Sequence, residues 1–539
     1  MATTRPNPKS QQNHGHEKPT WPVGYTPRIV VKFKDEAAQK FQIPYDERVE
    51  RSPDQYLGPN WSQLAAHFPG ITLQRLITSL TPDRIRGLVE RGQRRRPDYT
   101  FPNFSTYFAF QCPSNVDPYS VLEAVKSWQI VELAYVESPP LPPPNLTLNP
   151  LENPSMSGQQ TYLCAAPRGI DAQYAWTFTG GDGGGSSVGL QFIDMEQGWI
   201  LDHQDLPSGI QIICGYNRLF FGHGTGTLGI VLAVPNNVET AGTTSINTKV
   251  GVTPNVSTNM VTSMWPDATS QYVNRVNAIL AAVAAAKPGD VILLEDHVWA
   301  YGSYSGIPSG TGWYRVPIEV EDANWNAIKM ATANDIIVIE AAGNGGIDLD
   351  LFTPAGTYYS AQENSNVTTS NWGKDSGAIM VAAADSSTHS RGLDSNYGSK
   401  VTCWAWDNNV WTTGYDDDYP PPADVSTSDF AFSGTSGAAA IVAGASMAIQ
   451  GIAQAHKKGD LSNYRFSPDA LRQFLIDPSH IYNGTPSKPG PSSPGGAADK
   501  IGLMPNLRGI INQGLGLKHP VWDISEIVGS LPNEPMAPP

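Results

Sequence analysis

Four segments of this 539-residue chain carry side chains that together suit acyl transfer. At a peptide bond that chemistry needs a hydroxyl, a base within hydrogen-bond reach, a group that fixes the base, and donors for the oxyanion. In FSGTSGAAAIVAGASMAIQG, Gly434 and Thr435 make a tight entry and Ser436 opens a long, Ala-rich helix. A serine there sits at the positive end of the helix dipole, which favours negative charge building beside its own N–H. In FFGHGTGTLGIVLA, His223 stands between Gly222 and Gly224 and begins a second helix of small residues, the glycines permitting close backbone approach. In LQFIDMEQGW, Asp194 ends an apolar strand and can accept a hydrogen bond from an imidazole. In IVIEAAGNGG, Asn344 lies in a glycine turn, where its amide NH₂ can point at an oxyanion. Taken singly each has an ordinary explanation, since GTS before a helix is usually an N-cap and a lone His is more often structural. Their joint occurrence in one strand-helix context makes Asp194, His223 and Ser436 the expected catalytic set.

The elements that must position these groups read as an α/β domain. VGLQFID (Val188 to Asp194) is a near-continuous apolar strand, followed by a helix beginning near His223. YVNRVNAILAAVAAA leads into DVILLE and ANWNAIKMATAN into DIIVIEAA, the rhythm of a mostly parallel, doubly wound sheet with helices on both faces. In such sheets reactive groups lie at the carboxyl ends of strands, where Asp194 and Asn344 fall.

Ahead of it the chain reads as a small N-terminal α+β domain, over 28–138. IVVKF, STYFAFQC and IVELAYVE are its strands, and PDRIRGLVERG and DPYSVLEAVKSW its helices, the second capped by Asp117. Residues 1–27 are polar and expected to be disordered. PPLPPP opens a linker or processing segment over 139–157, before a catalytic domain over 158–515 and a tail over 516–539. Arg94, Arg95 and Arg96 are placed in a loop of the small domain, as a cleavage site or, the preferred reading, a solvated cluster facing water.

The chain order Asp, His, Ser, with GHGT and SGTS each opening a helix and AAGN between them, resembles the subtilisin-like serine peptidases. The resemblance spans roughly Gly169 to Ile511, including GIDAQYAW and IGLMPNLRGII. It implies Asn344 as oxyanion donor beside the Ser436 N–H, and Leu294, Glu295 and Asp296 along one side of the P1 pocket. There Glu295 or Asp296 would favour a basic P1 side chain, or Glu295 is simply a structural hydrogen-bonding partner. The N-terminal domain resembles the inhibitory propeptide of such zymogens and would dock its tail, near Val136 to Pro139, in the active cleft; the alternative is a permanent binding domain. Two departures stand beside the reacting groups. Met195 and Glu196 follow Asp194 where the family commonly has Ser or Thr and then Gly, and Gly437 to Ala440 replace Met-Ala-Ala-Pro.

The activity so implied is a serine endopeptidase made as an autoinhibited zymogen. Its competitors are a pseudoprotease that binds peptides, and a transpeptidase or macrocyclase using the same acyl-enzyme. A sedolisin-type site, which shares SGTS, is opposed by GHGT and AAGN. No cofactor is needed for catalysis and no catalytic metal is expected. The family's calcium loop is matched only in position by VPNNVETAG, with Asn236 and Asn237, and a plain surface turn is preferred. Net charge is −15, which argues against nucleic acid and anionic lipid as partners and points to no positive one; the resemblance implies polypeptide as substrate, and a monomer is expected. Cys112, Cys164, Cys214 and Cys403 form no CxxC pair; unpaired buried thiols are preferred over one or two disulfides. No Sec-type signal and no apolar run near ~20 residues is read, so the chain is cytoplasmic as synthesised or exported by another route.

Overall fold

The computed structural model describes residues 21, 24–36, 53–141, 160–235, 249–306, 309–354, 359–360, 371–417, 421–422, 424–456, 465–480 and 500–517. Seven short apolar strands lie side by side in the order Gln211–Cys214, Thr258–Ser263, Gln191–Glu196, Val291–Leu294, Ile337–Ala341, Ile379–Ala384 and Cys403–Trp406. Every pairing among them is parallel. After Gln191–Glu196 the chain first builds two strands on one side, then crosses to place Val291–Leu294 on the other. That reversal opens a crevice at the carboxyl ends of these two neighbours, where open α/β sheets bind ligands.

Helices Phe221–Leu232 and Gly434–His456 pack together on one side of the sheet, and Arg275–Ala285 and Asp322–Ala333 pair on the other. The sequence read no apolar run of membrane length, yet Gly434–His456 is long and apolar enough to cross a bilayer, and 94% of its most apolar stretch is buried in the fold. A helix covered on all sides needs no polar face. Small residues allow the enclosure: a Cβ on Gly451 would stand 2.1 Å from the Gly180 carbonyl oxygen.

The first strand of the crevice begins three residues later than the apolar pattern suggests. Gly185–Val188 forms a short helix that closes at Gly189, whose φ is 65°, so the strand runs from Gln191 to Glu196 and not from Val188 to Asp194. A further feature not read from sequence is an antiparallel sheet of His297–Tyr304, Gly310–Pro317 and Phe352–Pro354, standing beside the crevice.

In the N-terminal domain, Thr72–Arg75, Tyr107–Gln111, Arg28–Phe33 and Val131–Val136 make an antiparallel sheet, and Tyr359–Ser360 from the larger domain adds to its edge. Asp117 caps its helix as expected, accepting from the Ser120 N–H at 3.1 Å. The domain sits on the helix pair Arg275–Ala285 and Asp322–Ala333, its Leu76, Leu80, Ile85, Leu88 and Phe101 joining the larger domain's buried apolar core, with polar contacts beside them. Asn277 Oδ1 accepts the N–H groups of Thr78 (2.8 Å) and Ser79 (2.7 Å), and Tyr107 OH donates to Asp322 (3.1 Å). The arginine run is not a solvated loop: Arg94 and Arg95 end the helix Pro82–Arg95. Arg95 pairs with Asp335 at 2.9 Å and Arg96 with Asp469, so two of the three arginines clamp the domains together. All four cysteines are free thiols. The segment compared with the family's calcium loop lies, from Asn236 on, outside the described residues.

Two glycine substitutions should separate packing from helix propensity. Gly451→Ala must push the Gly180 carbonyl aside, and overpacking of this kind costs about 1–3 kcal/mol. Gly87→Ala, in the helix Pro82–Arg95, meets nothing within 4 Å and should stabilise by about 0.5–1 kcal/mol. Calorimetric melting temperatures should therefore move in opposite directions.

Candidate active site

Ser436 is the third residue of the helix Gly434–His456, in the first turn, where backbone N–H groups lack intrahelical partners. Gly434 turns the chain into it with φ 79°, a conformation that favours glycine. His223 likewise lies in the first turn of Phe221–Leu232. That helix is capped from 194 residues away: Asp417 accepts the His223 N–H at 2.7 Å and the Gly222 N–H at 3.1 Å. Gly222 and Gly224 are required by packing, since a Cβ would stand 1.9 Å from the Tyr415 oxygen and 2.2 Å from the Gly198 oxygen respectively.

The carboxylate that meets the imidazole is Glu196, not Asp194. His223 Nδ1 hydrogen-bonds Glu196 Oε1, both side chains being almost fully buried. Asp194 is engaged elsewhere: its Oδ2 accepts from Trp199 Nε1 (2.7 Å) and Thr227 Oγ1 (3.4 Å). Strand and helix periodicities explain the correction. Residues 194 and 196 share one face of a strand, and 223 and 227 one face of a helix. The deeper carboxyl therefore faces the deeper turn, at Thr227, while Glu196 at the strand's end reaches the imidazole at the cleft. The signal available in sequence was the Asp-Met-Glu alternation.

His223 Nε2 has no partner among the described residues, and the ring lines a small cleft with Glu196, Glu295, Asn344 and Ser436. Phe432 packs on the imidazole at 4.8 Å between ring centres. A Cβ on Gly437 would approach that Phe432 ring to 3.1 Å, so glycine after the nucleophile, in place of the family's usual Met, makes room for it. Asn344 is buried with its Oδ1 accepting from Thr435 N (3.1 Å) and Oγ1 (3.2 Å), which leaves its NH₂ on the cleft side, 3.5 Å from His297 Nδ1. Burial first, then the nearby Arg315 and Arg275 cations, push His297 down to about 3, so it accepts there as a neutral ring.

Of the residues expected along the P1 side, Leu294 is fully buried within its strand, whereas Glu295 and Asp296 both line the cleft. Asp296 is neutralised by Arg275. Glu295 is different: both its carboxyl oxygens are buried without a well-formed hydrogen bond, beside Ser436 and within 4.8 Å of ligating atoms of Glu196 and His223. Burial, then repulsion by Asp194 and Glu196, holds its pKa well above the usual carboxylate range. Burial, then Glu196, does the same to Asp194. For His223 burial opposes the charged form, yet Glu196, with Asp417 and Asp194, outweighs it and raises the imidazole above its ordinary value.

The cleft is also reached by the N-terminal domain. Its tail passes from Val131–Val136 through Glu137 and Ser138 to Leu141, which lines the cleft with Ser436 and whose carbonyl accepts from Gln197 Nε2 at 3.0 Å.

Two measurements follow. Glu196→Gln should lower the His223 pKa, read from its ring protons by NMR, whereas Asp194→Asn should leave it far less changed. Asp194 and Glu295 bind protons in the folded state above the range where unfolded carboxyls lose them, so stability should fall as pH rises from roughly 4 toward their raised native values. Thermal melts across roughly pH 4 to 8 should show this slope, and Glu295→Gln should flatten it.

The sequence profile described as the subtilase family matches residues 217–497, a little over half of the chain. No curated protein matches. Among solved structures, a variant of the epidermin leader peptide processing serine protease from Staphylococcus aureus superposes with TM-score 0.50 at 14% identity, covering 90% of this chain and 99% of that one. Fervidolysin from Fervidobacterium pennivorans, described as a keratinolytic enzyme related to subtilisin, gives 0.46 at 15% identity, covering 90% and 61%. A protease from Pseudoalteromonas arctica PAMC 21717 gives 0.42 at 19% identity, covering 67% and 98%. With its parallel sheet, its two glycine-led helices and the matched segment running across both His223 and Ser436, the chain belongs to the subtilase family of serine peptidases.

Proposed function

We propose that the chain is a serine endopeptidase acting through an acyl-enzyme, with its own N-terminal domain as intramolecular inhibitor. Ser436 Oγ adds to the scissile carbonyl as His223 Nε2 takes its proton. Glu196 keeps Nδ1–H in place and stabilises the imidazolium that results. The Asn344 NH₂ and the Ser436 N–H donate to the oxyanion. The imidazolium then protonates the leaving amine, and water releases the acyl group by the reverse sequence. Asp194 is a positioning residue: it fixes the Trp199 indole, which packs close to Gly224 beside His223.

The observation that carries this reading is the Glu196–His223 pair, whose free Nε2 faces a cleft shared with Ser436 and already entered by the tail at Leu141. A tail held there blocks the approach of other polypeptides. Processing within 141–156 would sever the tail from the larger domain and open the cleft.

Intact-mass analysis of the wild type and Ser436→Ala, each with a fluorophosphonate probe, tests the proposal. Labelling and loss of the N-terminal domain in the wild type alone are expected; absence of labelling, even after the N-terminal domain is trimmed with another protease, would leave a peptide-binding pseudoenzyme. Glu196→Gln should reduce kcat on the order of 10⁴-fold, because an amide cannot hold the same tautomer and charge. Asp194→Asn should cost far less.

A further inference from the structure

The tail is gripped before it reaches Leu141, and the grip is made by buried polar side chains. Arg275 is fully buried; its Nε is bound by Asp296, while NH1 donates to the Ser138 carbonyl at 2.8 Å and NH2 to the Pro139 carbonyl at 3.2 Å. Glu321, also buried, accepts the Ser138 N–H at 2.8 Å with Oε1, and its Oε2 is occupied by Asn324 at 2.9 Å. The Trp299 N–H donates to Ser138 Oγ at 3.1 Å. Except for that last contact, every partner on the tail is a main-chain group, which any polypeptide possesses.

Resting on the endopeptidase reading, we propose that Arg275 and Glu321 form a backbone clamp for polypeptide substrates, engaging them two and three residues upstream of the residue that occupies the Leu141 position. The clamp demands a carbonyl at both positions and an N–H only at the one held by Ser138. Proline is therefore accepted where Pro139 stands and rejected where Ser138 stands, and a substrate ending short of the clamp loses three hydrogen bonds. A guanidinium held by Asp296 with two N–H groups turned into the groove is costly to leave unpaired in a buried site, so a chain that satisfies it is favoured over one that does not. Aromatic side chains of the larger domain, Trp299 and Trp313, wall the same groove and keep the clamp in an apolar setting, where its hydrogen bonds count for more.

The test uses the self-processed wild-type enzyme and fluorogenic peptides built on Val-Glu-Ser-Pro-Pro-Leu. N-methylation of the Ser amide, or its replacement by Pro, should raise KM roughly 10- to 100-fold with kcat little altered, since one buried hydrogen bond is lost and its acceptor is left unpaired. Replacing the first Pro by Ala should leave both constants unchanged, and removing the first four residues, which takes away all three clamp hydrogen bonds, should raise KM as much as N-methylation or more. Arg275→Lys, which keeps the charge beside Asp296 but cannot fork to two carbonyls, should raise KM for the six-residue peptide and not for the shortened one. Because the peptide series is read on unaltered enzyme, it stands whether or not that variant folds. Equal KM for the parent and N-methylated peptides overturns the clamp while leaving the peptidase intact. Cleavage of none of the peptides by a wild type that also fails to label removes the peptidase reading itself.

Discussion

The arrangement turns on burying an imidazole against one carboxylate in a place crowded with others. Asp194, Glu196, Glu295 and Asp417 all act electrostatically around His223 or one another, and burial penalises each charge. A buried ion pair is stable only where its geometry is good and its remaining valences are met. Much of the neighbourhood serves that end. Asp417 satisfies the first N–H groups of the His223 helix, Phe432 covers the ring, and Trp199 with Thr227 occupies Asp194, so that Glu196 alone meets Nδ1.

Close backbone approach makes the crowding feasible. Gly222, Gly224 and Gly437 sit where a side chain would strike Tyr415, Gly198 or Phe432, so the two helices bring His223 and Ser436 to one cleft. The departures from the commoner family pattern form a consistent set. Both meet at the imidazole: Glu196 hydrogen-bonds Nδ1, and Gly437 leaves room for the Phe432 ring that covers it.

Beside the apolar packing of residues such as Leu76, Ile85 and Phe101 into the common core, the N-terminal domain is held by two kinds of polar contact. Across the helix surfaces it is held by polar caps and exposed or half-buried ion pairs such as Arg95–Asp335, which are individually weak. In the groove it is held by buried contacts to its main chain, charge-assisted ones from Arg275 and a further hydrogen bond to Glu321. The first set is particular to this domain. The second is made to main-chain groups that any extended polypeptide carries.

The sequence by itself determined the local decisions: small-residue helices opening at Ser436 and His223, apolar strands alternating with helices, the Asp117 cap, and the family to which those motifs belong. These follow from short-range periodicity and turn chemistry, which neighbouring residues settle among themselves. Which carboxylate meets the imidazole was beyond it. The apolar run beginning at Val188 fixed where a strand could lie, but a left-handed glycine at 189 moved its start to Gln191, and a shift of two residues along one face exchanges Asp194 for Glu196. Asp417, Arg275 and Glu321 were equally silent, because each acts on a group more than a hundred residues away. Only the tertiary structure brings such groups together, since the loops that join them carry no signal of what their ends will meet.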